Sequence, residues 1–394
     1  MKAIKLLLLF ISCPLFGQQL SFALEQINGQ AIIDQGLTGK GVKVGVIDGG
    51  FLKTDKIETL QHLFENNQIA GYRDYLDSSA NDFDGSRAFD DVHGTEVLEL
   101  IAGYSKERNV QYGLATNATY YLARTDHGGY EKRKEEEYAI EAMEWMAQEG
   151  VRIINLSLGY NFGYTDKREN YTPRQMDGKS TIVTQAVDRI SKEYGILFIV
   201  AAGNDGENKW KIVGSPGDAK SALTVGATKF KVWDDMNYTS KGPEWLDYVK
   251  PEIACYASTG TSFSAPVITG LAACLLERHP NLSGQELKEV LIESGNLALP
   301  NNYIGYGVPD AITSFSLLKD EEIEKKNSVR AKKSHLLELS KPSIYLKIYH
   351  KIGWKVVEKE TIRTDRLKVK IKQKEDAESS TILWENGVLE IFWE

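Results

Sequence analysis

The stretch Lys43-Val-Gly-Val-Ile-Asp48-Gly-Gly50 decides the fold class of this 394-residue chain. Its run of small and β-branched apolar residues is typical of a strand that is buried on both faces. Such a strand belongs to a parallel sheet that helices cover on both sides. Asp48 then lies at the carboxyl end of the strand, which is the edge of the sheet where functional sites form.

Segments with strand and helix patterns alternate on both sides of this stretch. Residues 120–124, 151–158 and 196–201 are apolar and short, as buried strands are, whereas residues 131–148 and 181–193 repeat apolar side chains at helical spacing. The alternation predicts an α/β fold: a mainly parallel central sheet with helices on both faces.

Three strings, which follow one another along the chain, set a reactive side chain beside small residues. They are Val-Ile-Asp48-Gly, His93-Gly-Thr and Gly-Thr-Ser262-Phe-Ser-Ala-Pro. Alone, Asp48 is compatible with a turn, His93 with an ordinary imidazole and Ser262 with a helix cap. Together they supply a carboxylate, an imidazole and a hydroxyl, the three groups that acyl transfer uses.

The ordered set, with its flanking residues, resembles the subtilisin-like serine peptidases, the subtilases. The resemblance extends over about residues 24–315, because six further strings match segments of that family. They are Gly113–Ala115, Asn155–Gly159, Ala201–Asn204, Leu223–Ala227, Lys250–Ala254 and Gly305–Ala311.

The resemblance implies a serine endopeptidase that acts through an acyl-enzyme intermediate. Ser262 is expected as the nucleophile, His93 as the general base and then acid, and Asp48 as the group that orients the imidazole. Asn204 is expected to donate its side-chain amide to the oxyanion, together with the backbone N–H of Ser262.

The resemblance also assigns the substrate, which is a protein or peptide. Three consecutive residues, Ser157, Leu158 and Gly159, are expected to form one wall of the cleft and to pair with an extended substrate. Gly214 is expected at the floor of the pocket for the residue before the scissile bond, where it leaves room for a large apolar side chain.

The chain departs from the family pattern at three places. Glu96 stands where the family has a second histidine, and the segment from Lys250 to Ser262 is short. The domain also begins almost at the expected cleavage site, where the family has a folding prosegment. The alternative function is a catalytically silent, peptide-binding member of the fold, although binding alone does not require Asp48, His93, Ser262 and Asn204 together.

The N-terminus resembles an export signal. Lys2 and Lys5 precede an apolar run over residues 6–16, which is too short to span a bilayer. We expect a signal peptide over residues 1–23, cleaved after Gly17 or after Ala23, and a secreted or cell-envelope protein without a membrane span in its mature chain. An uncleaved anchor and a lipidated Cys13 are the weaker alternatives.

Three segments follow the signal. Residues 24–318 are expected to form the peptidase domain, residues 319–342 a charged linker, and residues 343–394 a small antiparallel β module of unassigned role. Alternating apolar residues mark the module, and Asn386-Gly387 predicts a tight hairpin near its end.

Charge and residue spacing limit which partners and cofactors are expected. The formal net charge is −8 and no basic stripe is present, so nucleic acid is not expected. No cofactor is required by the chemistry. Four aspartates precede His93, namely Asp74, Asp77, Asp82 and Asp84, and such clustered oxygens are compatible with structural calcium. Their spacing does not fit an EF-hand, because Ala80 occupies its first ligand position, so calcium is not predicted.

Two cysteines remain after removal of the signal. Cys255 and Cys274 flank Ser262, and the sequence is compatible with either a disulfide or two buried thiols. The sequence gives no indication of the oligomeric state.

Overall fold

The structure is a computed structural model that describes residues 19–77, 79, 83, 92–127, 132–230, 234–297, 300–318, 324–340, 342, 345–353, 355–384 and 387–394. The expected signal peptide therefore lies outside the described residues up to position 18. Cleavage after Ala23 would remove the strand Gln19–Leu20, which pairs with Val110–Gln111, whereas cleavage after Gly17 would keep it.

A seven-stranded sheet forms the centre of the N-terminal three quarters of the chain. Its order is β10-β9-β8-β7-β2-β6-β3, and all six pairs of neighbours are parallel. The strands of this part are β1 (Gln19–Leu20), β2 (Lys43–Asp48), β3 (Ile69–Asp74), β4 (Tyr104–Ser105), β5 (Val110–Gln111), β6 (Thr119–Arg124), β7 (Ile153–Leu156), β8 (Leu197–Ala201), β9 (Leu223–Thr228) and β10 (Ile253–Tyr256). The predicted α/β fold class is confirmed.

Helices cover both faces of this sheet. They are α1 (Phe22–Gln26), α2 (Gln30–Asp34), α3 (Gln61–Glu65), α4 (His93–Ala102), α5 (Lys134–Gln148), α6 (Ile182–Tyr194), α7 (Ala265–Arg278), α8 (Gly284–Glu293) and α9 (Ala311–Leu318). Short 3₁₀ turns are formed by Glu58–Leu60, Lys167–Glu169, Pro173–Gln175 and Thr261–Phe263.

Each face of the sheet has its own hydrophobic core. On one side α4 and α7 pack against the sheet, and α7 is buried from Ala265 to Leu276. On the other side α5 and α6 present one apolar stripe each. Strands buried from both sides become continuous apolar runs, which is why β2 and β8 are almost wholly buried.

The C-terminal part is a second β structure with a core of its own. A five-stranded sheet has the order β11-β17-β16-β13-β14, and β12 pairs with β15. The bounds are β11 (Glu324–Ala331), β12 (Ser334–Glu338), β13 (Tyr345–Ile352), β14 (Lys355–Arg363), β15 (Lys368–Lys372), β16 (Ser379–Trp384) and β17 (Gly387–Trp393). The strands beside the predicted hairpin do pair antiparallel, with Trp384 opposite Gly387; Asn386 lies outside the described residues.

The expectation of a charged linker over residues 319–342 is wrong for the part that the structure describes. Strand β11 adds to the sheet edge parallel to β17, and β12 pairs antiparallel with β15. At an edge, the backbone is paired while charged side chains stay in water, so a high charge content does not prevent a strand. The missed signal is the alternation that places Leu337 and Leu339 in the core of the module.

Tyr349 of β13 joins the C-terminal β module to the peptidase part. Its side chain is buried within the larger core of the peptidase part and hydrogen-bonds with Asn28, which follows α1. Beside it, Lys347 lies 3.9 Å from Asp310, whose carboxylate accepts the N–H of Thr313 at the start of α9. The contact therefore includes both apolar burial and charge.

Within the described residues, no helix combines the length and the apolar character that crossing a bilayer requires.

A buried ionic cluster ties the sheet edge to α8. The carboxylate of Glu252 lies 2.9 Å from Nζ of Lys250 and 2.7 Å from Nζ of Lys288, and it accepts the N–H of Thr224. Burial lowers the pKa of Lys250 to about 8, although Glu252 opposes this shift. One carboxylate thus compensates two ammonium groups that are out of water.

We expect Glu252→Gln to destabilise the chain by about 3–5 kcal/mol at pH 6, because it leaves both lysines buried without a counter-charge. The loss should be smaller at pH 9, where Lys250 can lose its proton. Urea unfolding at the two pH values measures the free energy of unfolding of the wild type and the variant. Glu289→Gln, on the exposed side of α8, is the control, and a loss below about 1 kcal/mol at pH 6 would contradict the prediction.

We expect Tyr349→Ala to cost about 3–5 kcal/mol, since it removes a large buried side chain from the contact between the two parts. The module should then unfold separately from the peptidase part, so that thermal unfolding followed by calorimetry shows two transitions. Leu336→Ala, at an exposed position of β12, is the control. A single transition at the wild-type temperature would contradict this prediction.

Candidate active site

Asp48 and His93 meet at the carboxyl end of β2. Oδ1 of Asp48 lies 2.6 Å from Nδ1 of His93, the first residue of α4, and also accepts the N–H of Gly49 at 2.8 Å. The carboxylate is fully buried, whereas the imidazole keeps 26% of its side-chain surface exposed. A proton on Nδ1 that is donated to Asp48 leaves Nε2 of His93 as the basic nitrogen.

Gly94 permits this close approach. A Cβ atom at that position would lie 2.5 Å from the carbonyl oxygen of Gly50 and 2.9 Å from Cβ of Asp48. The N–H of Gly94 donates to the same carbonyl of Gly50 at 2.8 Å. The start of α4 can therefore pack against the end of β2 only with glycine after the histidine.

Ser262 lies in the 3₁₀ turn Thr261–Phe263, directly before α7. Its side-chain oxygen donates to the carbonyl of Ser157 at 3.3 Å, and the residue is 8% exposed. The ring of Phe263 packs against the imidazole of His93, with 5.5 Å between centroids. The serine turn and the histidine helix thus pack against each other.

A chain of buried polar groups holds the serine turn against the sheet. The hydroxyl of Ser157 donates to the carbonyl of Ser262 at 3.0 Å, and Asn155 donates to that hydroxyl at the same distance. Asn155 in turn accepts from Thr269 of α7 at 2.9 Å. Asn155 and Thr269 were not among the predicted site residues, because each is an ordinary polar residue in its own segment.

Asn204 follows β8 and is held by the residue before Ser262. Its side-chain carbonyl accepts the N–H of Thr261 at 2.9 Å and the hydroxyl of Thr261 at 3.1 Å. That hydroxyl accepts the N–H of Gly203 at 2.9 Å. Because Thr261 engages the oxygen end of the amide, the NH₂ end of Asn204 is the one that can donate to a ligand.

A cavity of about 220 Å³ is lined by all the predicted substrate-binding residues together with Ser262 and Asn204. We call it the acyl-side cleft; its predicted members are Ser157, Leu158, Gly159 and Gly214. The carbonyl of Ser215, next to Gly214, accepts the N–H of Tyr160 at 2.7 Å, so the backbones of the two predicted segments lie side by side.

Two polar residues of the acyl-side cleft were missed. The side chain of Asn161 lies 3.5 Å from where a Cβ of Gly214 would be, and it donates to Asp205 at 2.7 Å. The cleft therefore has a polar border beside Gly214. The expected preference for a large apolar residue stays a prediction. The sequence signal for Asn161 and Asp205 was their position, directly after Gly159-Tyr160 and directly after Asn204.

The two cysteines and Asp74, the first of the four aspartates before His93, have partners of their own. Cys255 and Cys274 are both buried free thiols, and burial raises the pKa of each. The carboxylate of Asp74 pairs with Arg124 at 3.0 Å and accepts two backbone N–H groups. Asp82 and Asp84 lie outside the described residues. In the part that is described, no three His, Cys, Asp or Glu side chains cluster as metal ligands do.

Comparison with known proteins adds evidence on the family. The model of the subtilase family matches residues 39–307. Subtilisin E of Bacillus subtilis (strain 168) is 27% identical over 308 residues, which are 74% of this chain and 70% of that enzyme. The subtilisin of Bacillus pumilus is 27% identical over 307 residues, 74% of this chain and 97% of that enzyme.

A solved structure shows the same fold at lower identity. The protease MycP1 from Mycobacterium smegmatis superimposes with a TM-score of 0.55 at 19% identity, over 75% of this chain and 84% of that chain. Because the family model spans more than half of the sequence, the chain belongs to the subtilase family and is a serine endopeptidase of the subtilisin type.

Proposed function

We propose that the protein hydrolyses peptide bonds through an acyl-enzyme formed on Ser262. The observation that carries this proposal is the 2.6 Å contact between Asp48 and His93, whose ring packs against Phe263, the residue after Ser262. A buried carboxylate that fixes the imidazole tautomer is what a general base requires. The same contact stabilises the imidazolium that forms during the reaction.

In the first half of the reaction, the oxygen of Ser262 attacks the scissile carbonyl carbon while its proton passes to Nε2 of His93. The oxyanion accepts from the side-chain NH₂ of Asn204 and the backbone N–H of Ser262. The C–N bond then breaks as the imidazolium gives its proton to the leaving amine.

In the second half, His93 takes a proton from water, and the resulting hydroxide attacks the ester carbonyl. The C–O bond to Ser262 breaks, the serine regains its proton from His93, and the carboxylic acid leaves. Asp48 keeps its charge throughout. The non-leaving part of the substrate is an extended peptide that lies along Ser157–Gly159.

We also propose that the enzyme acts outside the cytoplasm. The support is the signal-like sequence before residue 18 and the similarity to the subtilisins. No cofactor takes part in the proposed chemistry. The substrate is a protein or peptide, and nucleic acid is not part of the proposal, since the net charge is −8.

We expect a fluorophosphonate probe to label the wild-type protein and not Ser262→Ala, because the activated hydroxyl displaces fluoride from phosphorus. The same pair should differ in digestion of a diverse peptide library, which also reports side-chain preference. Ser340→Ala, at an exposed position of the C-terminal β module, is the control and should be labelled as the wild type is. A folded wild-type protein that neither reacts nor cleaves would instead be the silent peptide-binding protein.

We expect Asn204→Asp to lower kcat by at least about 10²–10³, the magnitude established for such an oxyanion donor in this same enzyme family, with little change in KM. Aspartate keeps an oxygen that accepts from Thr261 but removes the amide donor and adds a negative charge. Asn204→Ala, which removes both groups, separates the donor role from the support of Thr261. If Asn204→Asp keeps more than about a fifth of the wild-type kcat, Asn204 does not stabilise the oxyanion.

A further inference from the structure

A second and larger groove lies on the other side of the serine turn from the acyl-side cleft. Its volume is about 860 Å³. Thr261 and Ser262 line the acyl-side cleft, whereas the next residue, Phe263, lines this groove. Adjacent residues of the serine turn therefore line the two cavities.

Five segments of the described chain form the walls of this groove together with Phe263. They are the N-terminal stretch Gln19–Ala23, the turn Ile57–Thr59, the exposed side of α4, residues between Ser105 and Tyr112, and residues Tyr256–Thr259. Only Ala257–Gly260 connect β10 to the serine turn, so the segment from Lys250 to Ser262 is short. Three residues of this loop line the groove together with Phe263.

The direction of the chemistry assigns the groove to one half of the substrate. If the acyl half lies along Ser157–Gly159, the peptide continues past the scissile bond on the opposite side of Ser262. His93, which protonates the leaving amine, contacts Phe263 on that side. The residues after the scissile bond must therefore pass Phe263 and enter the groove.

The groove is negatively charged. Among the described residues, four carboxylates line it, from Glu58, Glu96, Glu99 and Glu107, against one cation, Arg108. Burial raises the pKa of Glu99 and the hydrogen bond from Thr59 opposes this shift, while the negative charges of Glu96 and Glu58 raise the pKa further.

The carboxylates of the groove differ in what they already bind. Glu58 accepts the N–H of Lys106, and Glu99 accepts from Thr59. The side chain of Glu96 is exposed, and its carboxylate has no hydrogen-bond or ion-pair partner among the described residues. A cation in the groove would compensate this excess of negative charge.

The groove also has surfaces for the apolar stem of a long side chain. Leu20, Phe22, Leu100 and Tyr256 line it together with Phe263. The buried hydroxyl of Ser21, on the same wall, has no hydrogen-bond partner in the described part of the chain. Lysine and arginine combine an apolar stem with a cationic head, which matches apolar walls with carboxylates beside them.

We infer that this groove binds the leaving-group half of the substrate and selects lysine or arginine at the first or second residue after the scissile bond. The inference rests on the proposed function. Glu96 and Glu99, on one face of α4, are the specificity-determining residues.

The test uses the full-length enzyme and quenched fluorescent peptides with one acyl half, taken from the best library substrate. In each peptide, either the first or the second residue after the scissile bond is varied, and it is arginine, glutamine or glutamate. The p-nitroanilide of the same acyl half, which has no residue after the bond, reports the catalytic groups alone. We expect kcat/KM to be about tenfold higher with arginine than with glutamate at one of these positions, and the ratio to fall at 0.5 M NaCl, where exposed charges are screened.

The variants assign the preference to the groove. The double variant Glu96→Gln/Glu99→Gln, in which the new amide at position 99 keeps an oxygen for Thr59, should reduce the arginine-to-glutamate ratio at least threefold. Glu289→Gln removes the same charge from α8, outside the groove, and should keep the wild-type ratio. Ratios measured within one variant cancel any change in its general activity.

Three results would overturn the inference. A ratio near one with rapid anilide cleavage overturns the inference and leaves the proposed function intact. A wild-type ratio in the double variant also overturns it, since the preference then arises elsewhere. A folded enzyme that does not cleave the anilide removes the proposed function, and the inference with it.

Discussion

The contact between the buried Asp48 carboxylate and His93 is the constraint on which the rest of the site depends. An ionised carboxylate is costly to bury unless it is hydrogen-bonded and paired. Asp48 meets this requirement at the end of β2 through the N–H of Gly49 and Nδ1 of His93. The parallel sheet supplies the place, because the carboxyl ends of its strands share one edge. Gly94 then allows α4 to start directly against that edge.

The sequence predicted the elements whose signals are local, and it predicted the main residues of the site through the resemblance. The buried run before Asp48 and the helical patterns at residues 131–148 and 181–193 lie where they were expected, as β2, α5 and α6. Each of these signals is contained in a few consecutive residues. The parallel order of the strands follows from their alternation with helices.

The rest could not be read from local patterns because it depends on distant contacts. Asn161 and Asp205 become neighbours only when the chain folds, and Thr269 reaches Asn155 across 114 positions of sequence. The charge-rich stretch after α9 is a strand because β17, near the other end of the module, offers it an edge. Composition describes the side chains of that stretch but not the partner that its backbone finds.

The two sides of the nucleophile are built by different means, which follows from where their residues lie. Backbone segments and glycine shape the acyl-side cleft, so its form is tied to the sheet and to the turn that holds Ser262. The larger groove is formed instead by surface positions of α4, a short loop and the N-terminal strand. Substitutions at such exposed positions cost little stability, whereas changes beside Asp48 disturb a buried charge. The leaving-group side is therefore the part of the site where charge can change without loss of the catalytic geometry. Glu96 illustrates this, because it lies one turn from His93 and yet is exposed to the groove.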